Sequence, residues 1–175
     1  KFLKEPKNLY EPIDYILRLG GKRMRPVLTL MTTEVFDVDF NADFSAKPTA
    51  VIALLEAMQQ ADGFIFACPE YNYSIAPALK NALDWASREP ENHLLAGKAA
   101  AIMGAGGGMG TSRAQYHLRQ VGVYLDLHFV NKPEVFVNAF SGVFAPDGTL
   151  QDDKIRVTIQ AQLVALQALV ARCKK

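Results

Sequence analysis

The stretch GFIFACPEYNYSIAPALKNALDWASR, residues 63–88, joins an apolar run, a polar loop and an amphipathic helix. The run GFIFAC (63–68) is short and rich in aromatic and branched side chains, which is typical of a strand buried on both faces. The loop PEYNYS (69–74) follows directly, and a helical pattern occupies 77–87. A strand, a loop and a helix in this order indicate an α/β protein with a parallel sheet.

The same alternation continues along the chain. Val51, Leu54, Leu55 and Met58 lie at i, i+3, i+4 and i+7, which predicts an apolar helix face. Further strands are predicted at 98–103, 125–130 and 135–140, and further helices at 111–121, with Thr111 or Ser112 as N-cap, and from Asp152 to the C-terminal end. Strands that alternate with helices favour a parallel sheet with right-handed crossovers.

The first third of the chain has a different pattern. Residues 7–21 are predicted to be helical, with Ile13, Ile16 and Leu17 on one side. The stretch GKRMRPVLTLMTTEVF (21–36) also has apolar residues at helical spacing, and Pro26 suits a first helical turn. A strand over VLTLM (27–31) is the alternative, because short apolar runs fit both patterns.

Composition excludes several classes of function. A net charge of +1 gives no electrostatic basis for binding nucleic acid or an anionic membrane. No apolar stretch approaches the roughly 20 residues that a membrane span requires. Cys68 and Cys173 are far apart without a CxxC spacing, so we expect free thiols in a reducing cytoplasm and no metal site.

Two loops are expected at the carboxyl edge of the sheet, where open parallel sheets bind ligands. In PEYNYS, Tyr71 and Tyr73 offer flat surfaces and Asn72 offers paired donors and acceptors, which suits a planar heteroaromatic ligand. The alternative is that the tyrosines only close the end of the sheet. The loop GAGGGMG (104–110) departs from the dinucleotide fingerprint at Met109, so we expect close approach to a flat ring rather than a phosphate.

The sequence offers little acid–base machinery near these loops. His117 and His128 stand alone, Glu70 has no evident carboxylate or histidine partner, and Cys68 is expected to be a small buried hydrophobe. We therefore assign no catalytic side chain. Hydride transfer through a flavin needs no protein nucleophile, because the cofactor supplies the chemistry.

Two long segments resemble one known family. PEYNYSIAPALKNALDWASR (69–88) and GGGMGTSRAQYHLRQVGVYLDLHFVNKPEVFVNAF (106–140) closely resemble NADPH-dependent FMN reductases, above all NAD(P)H:quinone reductases and chromate-reducing relatives. The resemblance runs from about Phe36 to the C-terminal end. It implies a flavodoxin-like three-layer α/β/α fold, bound FMN, and two-electron reduction of quinones, flavins, chromate or azo compounds by NAD(P)H. It also implies a homodimer or homotetramer.

The resemblance further implies the residues that hold the flavin. The first loop would line it through Pro69, Glu70, Tyr71, Asn72 and Tyr73. The second loop would border the ring through Gly106, Gly107 and Gly108. The helix that bears Arg113 and Tyr116 lies near subunit contacts in this family.

The N-terminal part departs from the family. The family's first strand and its phosphate-binding GSLRxxSxN loop are not found among the 175 residues. Instead, residues 9–36 resemble the start of a polyprenyl diphosphate synthase, in which GGKRxRP grips isopentenyl diphosphate; Lys22 and Arg25 match its gripping positions, but the aspartate-rich DDxxD motif is missing.

We therefore predict two unrelated pieces, a foreign helical segment at 1–36 and a flavodoxin-like domain at 37–175. The strand beside the replaced first strand would have an unpaired edge. The expected function is an FMN-dependent NAD(P)H:quinone oxidoreductase. The alternative is an inactive flavodoxin-like chimera or binding scaffold that lacks the phosphate loop.

Overall fold

The computed structural model of the chain describes residues 28–30 and 47–174. The strands are β1 (Leu28–Leu30), β2 (Gly63–Ala67), β3 (Glu70–Tyr71), β4 (Ser74–Ile75), β5 (Ala99–Gly106), β6 (His128–Phe129) and β7 (Val135–Asn138). The helices are α1 (Thr49–Gln60), α2 (Pro77–Ala86), α3 (Ser112–Tyr124) and α4 (Asp153–Cys173), with a short 3-10 turn at Pro90–Asn92.

The main sheet is parallel and follows the order β1, β2, β5, with β6 and β7 both beside β5. Strand β5 is long enough to pair with β6 at its start, through Ala99, and with β7 at its end, through Gly106. Strands β3 and β4 form a separate antiparallel hairpin. The predicted parallel α/β architecture is confirmed for the described residues.

Alternation along the central strands divides the core between the two faces of the sheet. Phe64 and Phe66 of β2 point into a cluster with α1, α2 and α3, whereas Ile65 points into a second cluster with α4. Both phenylalanines are fully buried, and each contributes on the order of 2–3 kcal/mol by leaving water. The sheet is therefore covered by helices on both sides, as its uninterrupted apolar strands require.

The helix predicted across residues 21–36 is wrong at Leu28–Leu30, which form β1. This strand runs parallel to β2, with Leu28 opposite Phe64 and Leu30 opposite Phe66. The expected unpaired edge of β2 is therefore wrong as well. Residues 28–30 form a strand because leaving the backbone groups at the edge of β2 without hydrogen-bond partners would cost more free energy than giving up a weak local preference for helix. The predicted helix at 7–21 lies outside the described residues.

The last helix begins as its sequence predicts. The carboxylate of Asp152 accepts hydrogen bonds from the backbone N–H groups of Lys154 at 2.8 Å and Ile155 at 3.0 Å, which satisfies two free donors of the first turn. In residues 47–174, no helix has the length and apolar character needed to cross a membrane.

Candidate functional site

Three loops meet at the carboxyl edge of the sheet. The first follows β2, and the backbone N–H of Cys68 donates to the carbonyl of Met103 at 2.9 Å, which ties this loop to β5. The second follows β5 at Gly106. The third follows β7, and the backbone N–H of Ala139 donates to the carbonyl of Gly106 at 2.8 Å. Parallel pairing therefore brings segments that are distant in sequence to one edge.

The first loop is a tight hairpin. Tyr71 pairs with Ser74, so that Asn72 and Tyr73 form a two-residue turn with φ angles of 49° and 69°. Left-handed φ at both positions is the geometry that fits the twist of two-residue hairpins. Tyr71 is 55% exposed and Tyr73 is 65% exposed, so neither ring closes the end of the sheet by burial. Part of each ring therefore remains accessible to a ligand.

Glu70 points away from the turn, toward the start of α3. Its Oε2 accepts hydrogen bonds from the backbone N–H groups of Arg113 at 3.1 Å and Ala114 at 3.3 Å, and its other oxygen pairs with the Arg113 guanidinium. The partner of Glu70 is thus an arginine, whereas the sequence had suggested no carboxylate or histidine partner. A side chain 43 residues away thus caps α3. Thr111 occupies the N-cap position but makes no capping bond with its side chain.

The surroundings of Glu70 favour its charged form. Burial acts to raise its pKa, but the hydrogen bond from the Arg113 side chain, the backbone N–H of Ala114 and the positive charge of Arg113 together lower the pKa. The Glu70 side chain is only 7% exposed, so its charge depends on these partners. A carboxylate held in this way is a poor proton donor at neutral pH, which argues against an acid–base role.

Arg113 also contacts the turn of the hairpin. Its guanidinium carbon lies 3.6 Å from the centroid of the Tyr73 ring, within the range of a cation–π contact. Nearby, the hydroxyl of Ser74 lies 3.0 Å from Nδ1 of His117, which is also on α3. The hairpin therefore rests on the first two turns of α3.

The glycine loop is shorter than its sequence suggests. Gly104 and Gly106 belong to β5, because β7 pairs with that strand as far as Gly106. A β-carbon on Gly106 would lie 2.6 Å from the carbonyl oxygen of Gly110, so this glycine is required by the packing of the protein itself. At Gly107 and Gly108, a β-carbon would meet nothing within 4 Å. These two glycines leave open space at the edge.

Sequence analysis did not single out the third loop. Phe140 follows β7 and is 86% exposed. Its backbone N–H donates a hydrogen bond to the side-chain oxygen of Asn138 at 3.0 Å. Met109, in the glycine loop, is 63% exposed. The sequence contained one indication of this loop. VFVN (135–138) lies within a predicted strand of the parallel sheet, and the residues that follow such strands lie at the edge where ligands bind.

The remaining candidates do not form a reactive cluster. Cys68 is buried, as predicted, and burial together with the charge of Glu70 raises the pKa of its thiol to about 12. His128 is exposed on β6. Within the described part of the chain, no three His, Cys, Asp or Glu side chains are grouped to hold a metal ion. What the edge offers is flat aromatic surface beside open backbone, which suits a planar ligand.

Comparison with known proteins agrees with this chemistry. Residues 13–142 match the family described as NADPH-dependent FMN reductase. The match begins before the boundary predicted near residue 36, and the division of the chain there stays a prediction. A probable NADPH:quinone oxidoreductase of Oryza sativa is 56% identical over 150 residues, covering 85% of this chain and 73% of that protein.

Two further relatives extend the comparison. An NAD(P)H-dependent FMN reductase of Pseudomonas aeruginosa is 50% identical over 151 residues, covering 82% of this chain and 81% of that protein. Among solved structures, the flavoenzyme FerB of Paracoccus denitrificans, an NAD(P)H:(acceptor) oxidoreductase, superposes with a TM-score of 0.65 at 26% identity. That superposition covers 81% of this chain and 78% of FerB, and it agrees with the flavodoxin-like fold.

Proposed function

The chain belongs to the NADPH-dependent FMN reductase family, and we propose that it is an FMN-dependent NAD(P)H:quinone oxidoreductase. In the overall reaction, NAD(P)H, a proton and a quinone become NAD(P)⁺ and a hydroquinone. The hydride lost by the nicotinamide supplies two electrons and one proton to the quinone, and the second proton comes from solution. The likeness to relatives named as quinone oxidoreductases supports the acceptor class.

We place FMN at the edge formed by the hairpin and the glycine loop. Tyr71, Asn72 and Tyr73 of the hairpin and Gly107 and Gly108 of the glycine loop would hold its ring, with Pro69 and Gly106 at the start of these two loops. The observation that supports this most is that the same edge of the sheet carries open space at Gly107 and Gly108 and exposed tyrosines in the first loop. Backbone without side chains allows a flat ring to approach closely.

The side chains of the site act by binding and orientation. Bound FMN supplies the hydride chemistry, so the protein does not need a nucleophile or a perturbed acid. The tyrosines offer flat apolar area, and the Asn72 amide can both donate to and accept from an imide edge. The buried thiol of Cys68 stays protonated and out of the reaction.

We also propose that the enzyme is a cytoplasmic homodimer or homotetramer. The surface of α3 supports an oligomer, since Val123 and Tyr124 are 82% and 76% exposed, and Tyr116 is 53% exposed on the same helix. Large apolar side chains grouped on one helix are commonly covered by a partner. The two free cysteines suit a reducing compartment. The division into a foreign segment at 1–36 and a flavodoxin-like domain at 37–175 remains part of this proposal.

A direct test measures turnover with and without flavin. The purified full chain is mixed with NADPH and a water-soluble quinone, and FMN is added in steps. We expect oxidation of NADPH to rise with FMN and to reach a plateau, with one hydroquinone formed per NADPH. If no NADPH oxidation occurs at any FMN concentration, the chain is a scaffold and the proposal is wrong.

A further inference from the structure

The turn of the hairpin has a conformation that its sequence does not favour. Asn72 tolerates a left-handed backbone, but Tyr73, at φ 69°, is a bulky residue for which this region is uncommon. Such a conformation costs free energy and persists only when the surroundings impose it. Contacts of residues 70–74 with the rest of the protein must therefore hold the turn in place.

Glu70 and Arg113 supply such contacts in a closed arrangement. Glu70 opens the hairpin and caps α3 through the N–H groups of Arg113 and Ala114. The side chain of Arg113, which lies on α3, pairs with Glu70. Its guanidinium carbon lies 3.6 Å from the centroid of the Tyr73 ring. The strained residue is thus connected to the base of its own hairpin through the helix. We call these three residues, Glu70, Arg113 and Tyr73, the clamp.

We propose that Glu70 and Arg113 are positioning residues, which hold the Asn72–Tyr73 turn in the conformation that receives FMN. This inference rests on the proposed function and changes the role expected for Glu70 from a flavin ligand to a support. The Glu70 carboxylate is directed at α3 and is largely buried, so it does not face the open edge. Arg113 acts through the ring of Tyr73.

Loss of the clamp should reduce the population of the binding conformation rather than remove a ligand contact. If the freed turn adopts that conformation about one tenth of the time, the apparent dissociation constant for FMN rises about tenfold. Arg113→Lys keeps a positive charge near Glu70 but loses the planar group that stacks on Tyr73, so its effect should be intermediate.

The experiment uses the full chain and two measurements. Isothermal titration gives the FMN dissociation constants of the parent, Glu70→Gln, Arg113→Ala and Arg113→Lys. Amide hydrogen exchange of the flavin-free proteins gives the local stability of residues 70–75, with β5 as internal reference. The matched control is Arg156→Ala, because Arg156 also pairs with a carboxylate, that of Asp153, and donates to a backbone carbonyl.

For Glu70→Gln and Arg113→Ala, we expect exchange at 70–75 to accelerate more than exchange in β5, which follows the global stability, together with FMN binding weakened about tenfold. Arg156→Ala should change neither. Adding Tyr73→Asn to Arg113→Ala should slow the exchange again, because asparagine tolerates the left-handed region. That rescue separates a held turn from a general loss of stability.

Two results would overturn the inference. One is exchange at 70–75 that stays at the parental rate in both clamp variants. The other is parental FMN affinity in variants whose turn exchanges faster, which would show that binding does not depend on the held conformation. A parent that binds no FMN would overturn the proposed function itself, and the exchange data would still decide whether the clamp holds the turn.

Discussion

Gly106 and Gly107 are neighbours with opposite surroundings. A β-carbon on Gly106 would lie 2.6 Å from the Gly110 carbonyl oxygen, whereas one on Gly107 would meet nothing within 4 Å. The first glycine is therefore required by the fold, and the second borders open space. This difference separates a glycine that the fold requires from one that borders open space, where we propose that the flavin lies.

Gly107→Val should weaken FMN binding at least about tenfold with little change in melting temperature, because the side chain enters only the space assigned to the flavin. Gly106→Val serves as the comparison, since crowding against Gly110 should cost about 1–3 kcal/mol of folding stability. Titration calorimetry and thermal unfolding of both variants check this. If Gly107→Val binds FMN with the affinity of the parent, the flavin ring does not approach this loop.

The exposed face of the hairpin gives a second prediction. Tyr71→Ala combined with Asn72→Gly should weaken FMN binding by about 1–3 kcal/mol, or roughly five- to a hundredfold, through loss of stacking area and hydrogen bonds. Glycine is chosen at position 72 because it accepts the φ of 49°. The control is Val164→Ala on α4, which removes exposed apolar area outside the proposed flavin site and subunit contacts. Equal losses in both proteins would indicate a general effect, and no loss in either would place the flavin elsewhere.

Glu70 should make folding stability depend on pH in the acid range. Because its pKa is lowered in the folded state, its contribution is complete above its usual value of 4.5 and is lost as the pH falls through the folded value. Glu70→Gln should lower the free energy of unfolding by about 1–3 kcal/mol at pH 7. The gap between parent and variant should close in more acidic solution.

Denaturant unfolding at several pH values measures this gap. The exposed Glu91 on the 3-10 turn provides Glu91→Gln as the control, which should track the parent throughout. A gap for Glu70→Gln that is constant from neutral to strongly acidic pH would mean that the ion pair with Arg113 does not stabilise the fold.

Steady-state kinetics should show a ping-pong pattern, in which nicotinamide and quinone bind one after the other at the same site. In the part of the chain that the structure describes, the hairpin and the open glycines both belong to the carboxyl edge of one sheet, so we expect the second substrate to await departure of the first product. We expect parallel lines in double-reciprocal plots when both substrates are varied at saturating FMN. Intersecting lines, with product inhibition that requires a ternary complex, would contradict a shared place.

Sequence alone predicted the elements whose periodicity is strong. Val51, Leu55 and Met58 mark α1 because they recur at helical spacing, and all three are buried. The run at β2 is apolar at successive positions because both of its faces are covered. The gathering of the loops at one edge of the sheet also followed from the sequence, since residues after parallel strands lie at the same edge.

Other features depend on contacts between distant residues, which local patterns do not show. Strand β5 extends to Gly106 only because β7 pairs with it, although glycine has little preference for strands. β1 at Leu28–Leu30 was predicted only as the alternative to a helix, because a short apolar run fits both patterns. The pairing of Glu70 with Arg113 across 43 residues had no local indication, since neither charge belongs to a repeating pattern.

The central claim is that this chain binds FMN and uses it to oxidise NAD(P)H. Because the GSLRxxSxN phosphate loop is not found in the sequence, we expect FMN to bind about two to four powers of ten more weakly than in a version with that loop restored. The decisive measurement is a calorimetric titration of the chain with FMN, paired with NADPH oxidation in the same samples. The account predicts saturable, weak binding whose occupancy matches the rate of quinone reduction. Absence of both binding heat and FMN-dependent oxidation would contradict it.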